Sequence, residues 1–128
     1  IKSPVAGTVT CAGYGQGQST MPGATCGYSA NTTIANPDGS APAHTVVIDV
    51  GTDPQGNSVQ LSFNHMGTAA LTPGQQINAG DLIGGMGDTT GGPHVHLEGW
   101  GFCPSTGTYT ILDPTLIVGG YYQKNDVC

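Results

Sequence analysis

The sequence predicts an all-β fold: a single twisted, partly closed antiparallel sheet with an open groove and long loops. Apolar and β-branched runs alternate with clusters of Gly, Pro and Asn, and no segment keeps a sustained helical period. Charged residues make up only 8% of the chain while glycine occurs 22 times, a composition typical of a loop-rich extracellular β-protein. At 128 residues we expect one domain, residues 1–128, with one small core.

Turn residues divide the chain into its predicted elements. The DPQGN turn, residues 53–57, should join the second and third strands into an antiparallel hairpin. Residues 13–43 are long, polar and rich in Gly and Pro, which indicates a functional loop that a disulfide holds in order. One short helical turn is expected at residues 114–118. The predicted strands are Val5 to Thr10, Thr45 to Val50, Val59 to Phe63, Asp81 to Ile83, His94 to Leu97 and Tyr109 to Leu112.

The segment GDTTGGPHVHLEGW, residues 87–100, contains the densest group of titratable side chains. Because successive strand side chains point to opposite faces, His94, His96 and Glu98 are expected on one face. Two imidazoles and a carboxylate are costly to bury without partners. This segment therefore predicts one wall of a cleft.

The same segment resembles the closing motif of the LytM and lysostaphin type of cell-wall endopeptidase. Further pieces follow in the family's order and together cover most of the chain outside residues 11–42 and about the last ten residues. They are KSPVAGTVT (2–10) for the opening strand, HTVVIDVG (44–51) for the next long strand, LSFNHM (61–66) for the Tyr-x-His-Leu strand, LTPGQQINAGDLIGGMG (71–87) for the PGQ turn and strand, and LDPTLIV (112–118) for the end of the domain. The resemblance implies a LytM-like scaffold and peptidoglycan as the partner.

The LytM-like scaffold is related to the barrel-sandwich hybrid of biotinyl and lipoyl carriers, and SPVAGTV with TPGQQINAGDLIG also resembles that fold. Carriers need a lysine at a hairpin tip. The only lysines here are Lys2 and Lys124, and neither lies at such a tip. The shared topology supports the β-barrel prediction and not the carrier function.

The resemblance implies roles for the histidines. His65 matches the family's groove histidine, His94 its catalytic histidine and His96 its third zinc ligand, while His44 falls where the family often has an asparagine beside the groove. The family takes two zinc ligands from a His-x-x-x-Asp motif upstream of the opening strand, and this sequence starts at that strand with Ile1. We therefore expect no cofactor and no zinc held in the family's manner. If zinc is bound, His96 and His44 or an aspartate are the ligands to examine.

Three functions fit these residues. The favoured one is a muramidase of lysozyme type, because cleavage of a sugar chain needs a proton donor and a second carboxylate but no metal. Glu98, the only glutamate, is the candidate general acid. The alternatives are a zinc-dependent peptidoglycan endopeptidase and a non-catalytic cell-wall-binding module. The candidate catalytic residues are Glu98, His94, His65, Asp49 and Asp88, and the candidate substrate-binding residues are His44, His96, Trp100 and Tyr14.

The cysteines and the charge indicate a secreted protein. Four cysteines favour two disulfides with three possible pairings, and we prefer Cys11 with Cys26 and Cys103 with Cys128 because the alternatives cross the domain. Asn31 begins a glycosylation sequon.

The net charge of −6, with only two basic residues, argues against nucleic-acid binding. No apolar run approaches the roughly 20 residues that cross a bilayer, so we expect a mature, secreted monomer whose signal segment has been removed.

Overall fold

The computed structural model describes residues 1–14, 44–52, 56–69, 71–89, 92–120 and 127–128, and for Tyr14, Asp88 and Thr89 only the backbone. Eight strands and one short helix lie within these ranges. They are β1 (Gly7–Tyr14), β2 (His44–Thr52), β3 (Ser58–Ala69), β4 (Gln76–Ile77), β5 (Gly84–Thr89), β6 (Gly92–His94), β7 (His96–Cys103), β8 (Thr108–Leu112) and α1 (Pro114–Gly119).

The strands form one curled antiparallel sheet, the half-barrel that the sequence predicts. Its main path runs β4–β1–β2–β3–β5–β6, and β7 leaves this path by pairing with β3 and with β8. The expected hairpin between β2 and β3 is present. Residues 53–55 of its predicted turn lie outside the described part of the chain.

The strand predicted at residues 81–83 was wrong in position. Asp81 to Ile83 forms no strand and contributes only an isolated bridge between Lys2 and Leu82. The strand that lies here is β5, whose sequence GGMGDT is half glycine. Glycine weakens a strand because it brings no side chain to pack, so local sequence does not signal β5. Its partners in β3 hold it instead.

β3 changes its partner along its length. One edge of β3 pairs with β2. Along the other edge, residues Ser58 to Asn64 pair with β7, where Asn64 lies opposite His96, and residues from Met66 onward pair with β5. His65 lies between these two regions and has a φ of 62°, the only positive φ of a non-glycine residue in the described ranges. Such a left-handed backbone is uncommon outside glycine. We call the point where β5 and β7 separate around His65 the fork.

The predicted strand from His94 to Leu97 is interrupted at Val95. His94 ends β6 and lies opposite Gly87 of β5, while His96 begins β7 and lies opposite Asn64 of β3. The two histidines therefore belong to different branches of the sheet. They flank the fork from its two sides instead of lining one continuous strand.

Alternation divides the sheet into two faces. Val59, Leu61 and Phe63 of β3 are buried in the apolar core with Val46 and Ile48 of β2, and α1 covers this face of β7, where Ile117 packs beside Gly99. We call the opposite side the groove face. On β7 and β3 it carries the even-numbered residues His96, Glu98, Trp100, Phe102, Asn64, Ser62 and Gln60.

The C-terminal part closes against the core face. The expected helical turn is present as α1, which begins after Asp113, whose side chain caps the first turn, and is followed by Gly120 in a left-handed conformation. The disulfide between Cys103 and Cys128 is present as predicted. Two predictions lie outside the described residues: the pairing of Cys11 with Cys26, and Asn31 as a glycosylation site. In the described ranges, no helix has the length and apolar character needed to span a bilayer.

Candidate functional site

His65 and His94 meet at the fork and share a hydrogen bond. The Nδ1 atom of His94 lies 2.8 Å from the carbonyl oxygen of Gly92, which can only accept, so His94 carries its proton there. In the neutral ring, Nε2 of His94 is then an acceptor, and Nδ1 of His65 donates to it over 2.9 Å. This leaves Nε2 of His65 without a proton. The pair therefore presents a free base at Nε2 of His65.

The groove face beside the fork carries a second set of hydrogen bonds, centred on Glu98. Its Oε1 atom accepts from Nε2 of His96 over 2.8 Å, and its Oε2 atom accepts from the indole Nε1 of Trp100 over 3.2 Å. The ring of His96 lies 5.6 Å, centroid to centroid, from that of His65. Glu98 therefore connects Trp100 to the histidine cluster and fixes which nitrogen of His96 carries a proton.

The surroundings of His65 keep its ring neutral. Burial lowers the pKa of His65 below the ordinary histidine value of 6.5, the neighbouring rings of His94 and His96 lower it further, and the charge of Glu98 acts in the opposite direction. Near neutral pH the Nε2 lone pair of His65 is therefore available to take up a proton.

The other predicted residues do not join this cluster in the described part of the structure. His44 starts β2 opposite Met66, is 8% exposed and makes no ring contact with the other three histidines. The carboxylate of Asp49 accepts from the backbone N–H of Gly51 and the hydroxyl of Ser58. His44 begins β2, which pairs with the other edge of β3, so its role beside the groove stays a prediction. The side chains of Tyr14 and Asp88 lie outside the described part.

A buried polar ladder lies beside the site on the same face of the sheet, and sequence reasoning missed it. The hydroxyl of Thr45 donates to the side-chain oxygen of Asn64, whose amide donates to the hydroxyl of Ser62. In register, Asn64 lies opposite His96 and Ser62 lies opposite Glu98. Polar residues alternating with apolar ones in LSFNHM were the available signal.

Two glycines allow the strands at the fork to approach closely. A Cβ atom on Gly87 would collide with the carbonyl oxygen of His65, and one on Gly67 would lie 2.7 Å from the carbonyl oxygen of Met86. Neither position can carry a side chain without moving the backbone of β3 or β5. The spacing of His65 and His94 therefore depends on these glycines.

A catalytic zinc ion usually takes three protein ligands and keeps one open position. In the ranges that the structure describes, no three His, Cys, Asp or Glu side chains lie where they could share a metal ion. Nε2 of His96, the residue at the position of the family's third ligand, is bonded to Glu98. The described residues therefore do not fit a zinc site.

Comparison with known proteins identifies the family. Residues 1–105 match the sequence pattern of Peptidase family M23. The chain belongs to peptidase family M23. The match extends from the N-terminal segment through the fork and β7, so it includes all three clustered histidines and Glu98.

Among solved structures, this M23 domain is similar to the catalytic domain of the antimicrobial peptidase lysostaphin from Staphylococcus simulans. The two share 17% identity with a TM-score of 0.51, over 93% of this chain and 69% of that one. At this identity the likeness shows the fold. No curated protein matches the sequence. Family and fold together support the predicted LytM and lysostaphin type of scaffold.

Proposed function

We propose that this M23 domain hydrolyses peptide bonds in peptidoglycan, with the His65–His94 pair as its proton-transfer group. Membership of a peptidase family favours a peptide bond over the sugar linkage that residue types alone favour. The observation that carries the proposal is the 2.9 Å hydrogen bond from His65 to His94, which leaves a neutral base at the fork. Peptidoglycan as the substrate comes from the resemblance to cell-wall endopeptidases.

In this mechanism Nε2 of His65 takes a proton from a water molecule, and the oxygen of that water molecule attacks the peptide carbonyl carbon. The C–O bond forms, the C–N bond breaks, and the protonated His65 returns its proton to the leaving nitrogen. His94 holds the ring of His65 in place and is itself held by the carbonyl of Gly92. The lowered pKa of His65 keeps the base ready at neutral pH.

Glu98 is a positioning residue in this proposal. Both of its oxygens accept N–H donors, from His96 and from Trp100, which suits an orienting carboxylate better than a group that gives away a proton. It aligns His96 beside His65 and contributes a negative charge that favours the imidazolium formed during the reaction.

Glycoside hydrolysis is the second candidate. It is favoured by one observation: Asp49 lies opposite Gln60, which lies opposite Trp100, so Asp49 and Glu98 are two carboxylates on one face of the sheet. Such a pair is what sugar-chain cleavage requires. In this alternative Glu98 would have to release its two N–H partners and carry a proton.

Digestion of purified peptidoglycan separates the two candidates. Peptide cleavage produces new free amines, and glycoside cleavage produces new reducing sugar ends. We expect free amines from the unaltered protein and a loss of about 100-fold or more in His65→Asn, since asparagine tolerates the left-handed backbone but is no base. Leu82→Ala is the matched control, because Leu82 is exposed and forms an isolated bridge with Lys2 outside the fork.

Two results would contradict the proposal. Reducing ends without free amines would favour the muramidase. About one zinc per chain by elemental analysis, with activity lost on chelation, would mean that ligands beyond the described set hold a metal and that the histidine pair does not act alone.

We also propose the setting in which the domain acts. The Cys103–Cys128 disulfide is typical of proteins in oxidising compartments, which supports secretion. We propose that residues 1–128 act as one domain and as a monomer. The elution volume of the purified chain on size-exclusion chromatography tests the monomer.

A further inference from the structure

We propose that the groove face of β7 and β8, on the side of Trp100 away from the fork, is a subsite for a sugar ring of the glycan strand, with Phe102, Tyr109 and Ile111 as its stacking surface. This subsite rests on the proposed function, because it takes peptidoglycan as the substrate. It applies whichever bond is cleaved, since the peptides of peptidoglycan are attached to its sugars.

Strand register places this surface in line with the histidine cluster, further along β7. His96, Glu98, Trp100 and Phe102 alternate along β7 and share the groove face. In β8, Tyr109 lies opposite Phe102 and Ile111 lies opposite Trp100. The apolar surface therefore continues the line of the site residues, and the hydrogen bond from Trp100 to Glu98 joins the two.

The surface is apolar and open. Ile111 is 71% exposed, and the rings of Phe102 and Tyr109 are partly exposed and pack against each other with centroids 4.9 Å apart. The core face of the same strands is covered, because Gly99 meets Ile117 and Gly101 meets Val127 there. The exposed side is thus a different surface from the one that α1 stabilises.

The chemistry of this surface suits a pyranose ring. Such a ring presents C–H groups on its faces, which pack on aromatic and aliphatic side chains, and O–H and N–H donors around its edge. The side-chain Oε1 of Gln60, opposite Trp100 in register, is buried and has no hydrogen-bond partner in the described structure. An unpaired buried acceptor costs free energy, which a hydroxyl or acetamido N–H from the ligand would recover by donating to it.

Trp100 provides the measurement, because it is the only tryptophan in the chain. The test titrates the protein with the tetramer of N-acetylglucosamine, and separately with a peptidoglycan stem peptide, while recording tryptophan fluorescence. We expect a saturable change with the tetramer. Ile111→Ser should weaken the tetramer's affinity by about tenfold, from the loss of one buried aliphatic contact.

Ile111 is exposed, so its replacement does not endanger the fold, and thermal unfolding of the variant checks this. Leu82→Ala removes a similarly exposed aliphatic side chain elsewhere, at 64% exposure, and should bind like the unaltered protein. The inference is overturned if the tetramer causes no change, if only the stem peptide does, or if Ile111→Ser binds the tetramer as well as the unaltered protein.

The binding test involves no turnover, so its outcome is separate from that of the proposed function. Sugar binding without peptidoglycan hydrolysis would support the subsite and contradict the proposed peptidase activity. Hydrolysis that produces free amines without sugar binding would do the opposite.

Discussion

His65 combines an unusual backbone with an activated side chain. Its φ of 62° places it in the left-handed region, and its ring is bonded to His94 and close to His96. Non-glycine residues held in this region cost free energy and often occur at functional sites, where the surrounding structure enforces them. Here the partner change of β3 supplies the constraint, because the strand must turn between β7 and β5 at this residue.

Gly87→Ala tests how the fork positions His65. The added methyl group would collide with the carbonyl oxygen of His65, so we expect a loss of about 1–3 kcal/mol in the free energy of unfolding and a larger loss of activity than stability alone explains. Chemical denaturation and peptidoglycan digestion measure the two effects. Gly85→Ala, in the same strand, would meet only the hydroxyl of Thr68 and is the control. Equal activity in the two variants would contradict a positioning role for Gly87.

Glu98→Gln tests the electrostatics of the cluster. The charge of Glu98 raises the pKa of His65, so its removal should lower that pKa further. His65 acts as the free base, so kcat/KM is lost as the pH falls through this pKa, and the acid limb of the profile should move to lower pH. The pH dependence of kcat/KM and an NMR titration of His65 measure the shift. Asp81→Asn, which removes a charge in a turn, is the control and should leave the acid limb at its original pH. An acid limb that keeps its position in Glu98→Gln, or moves to higher pH, would refute this prediction.

The same pKa affects stability. Because folding lowers the pKa of His65 below 6.5, the unfolded chain binds protons more readily. The contribution of His65 to stability is therefore present above pH 6.5 and lost as the pH falls from there through the lowered pKa.

At the scale of elements, the sequence predicts what is local. The β2–β3 hairpin, β8 and the turn of α1 follow from apolar runs, turn residues and the Asp113–Pro114 start of the helix. The short β4 and the glycine-rich β5 could not be predicted this way, since partners elsewhere in the chain hold them. The break at Val95 is of the same kind: the run from His94 to Leu97 looks continuous until one half pairs with β5 and the other with β3.

The Cys103–Cys128 disulfide ties the last residue to the end of β7 across a separation of 25 residues. Replacing both cysteines by serine should lower the free energy of unfolding by about 3 kcal/mol, because the unfolded chain regains loop entropy. Urea denaturation measures it. Activity per folded molecule should be unchanged, because the disulfide lies at the opposite end of β7 from His96. A loss of activity per folded molecule along with the loss of stability would contradict this prediction.

At the scale of the whole molecule, the histidines could be predicted and their arrangement could not. The resemblance to a known family selected His65, His94 and His96, and the structure brings these three together. Sequence spacing could not show that Glu98 would accept hydrogen bonds from both His96 and Trp100. Those outcomes depend on strand register, which is set by partners distant in the chain.

The branching of the sheet at β3 also has a kinetic consequence. The β2–β3 hairpin joins neighbouring segments, whereas β5 and β7 return to β3 from much later in the chain, and such distant pairings form slowly. During refolding, amide hydrogens of β2 and β3 that bond to each other should gain protection from exchange first, and peptidoglycan digestion should recover later, with the docking of β7. Pulse-labelled hydrogen exchange alongside recovered activity would measure the delay; simultaneous recovery would indicate a single concerted transition. A chain emerging slowly from the ribosome would thus hold a formed hairpin before it holds a working site.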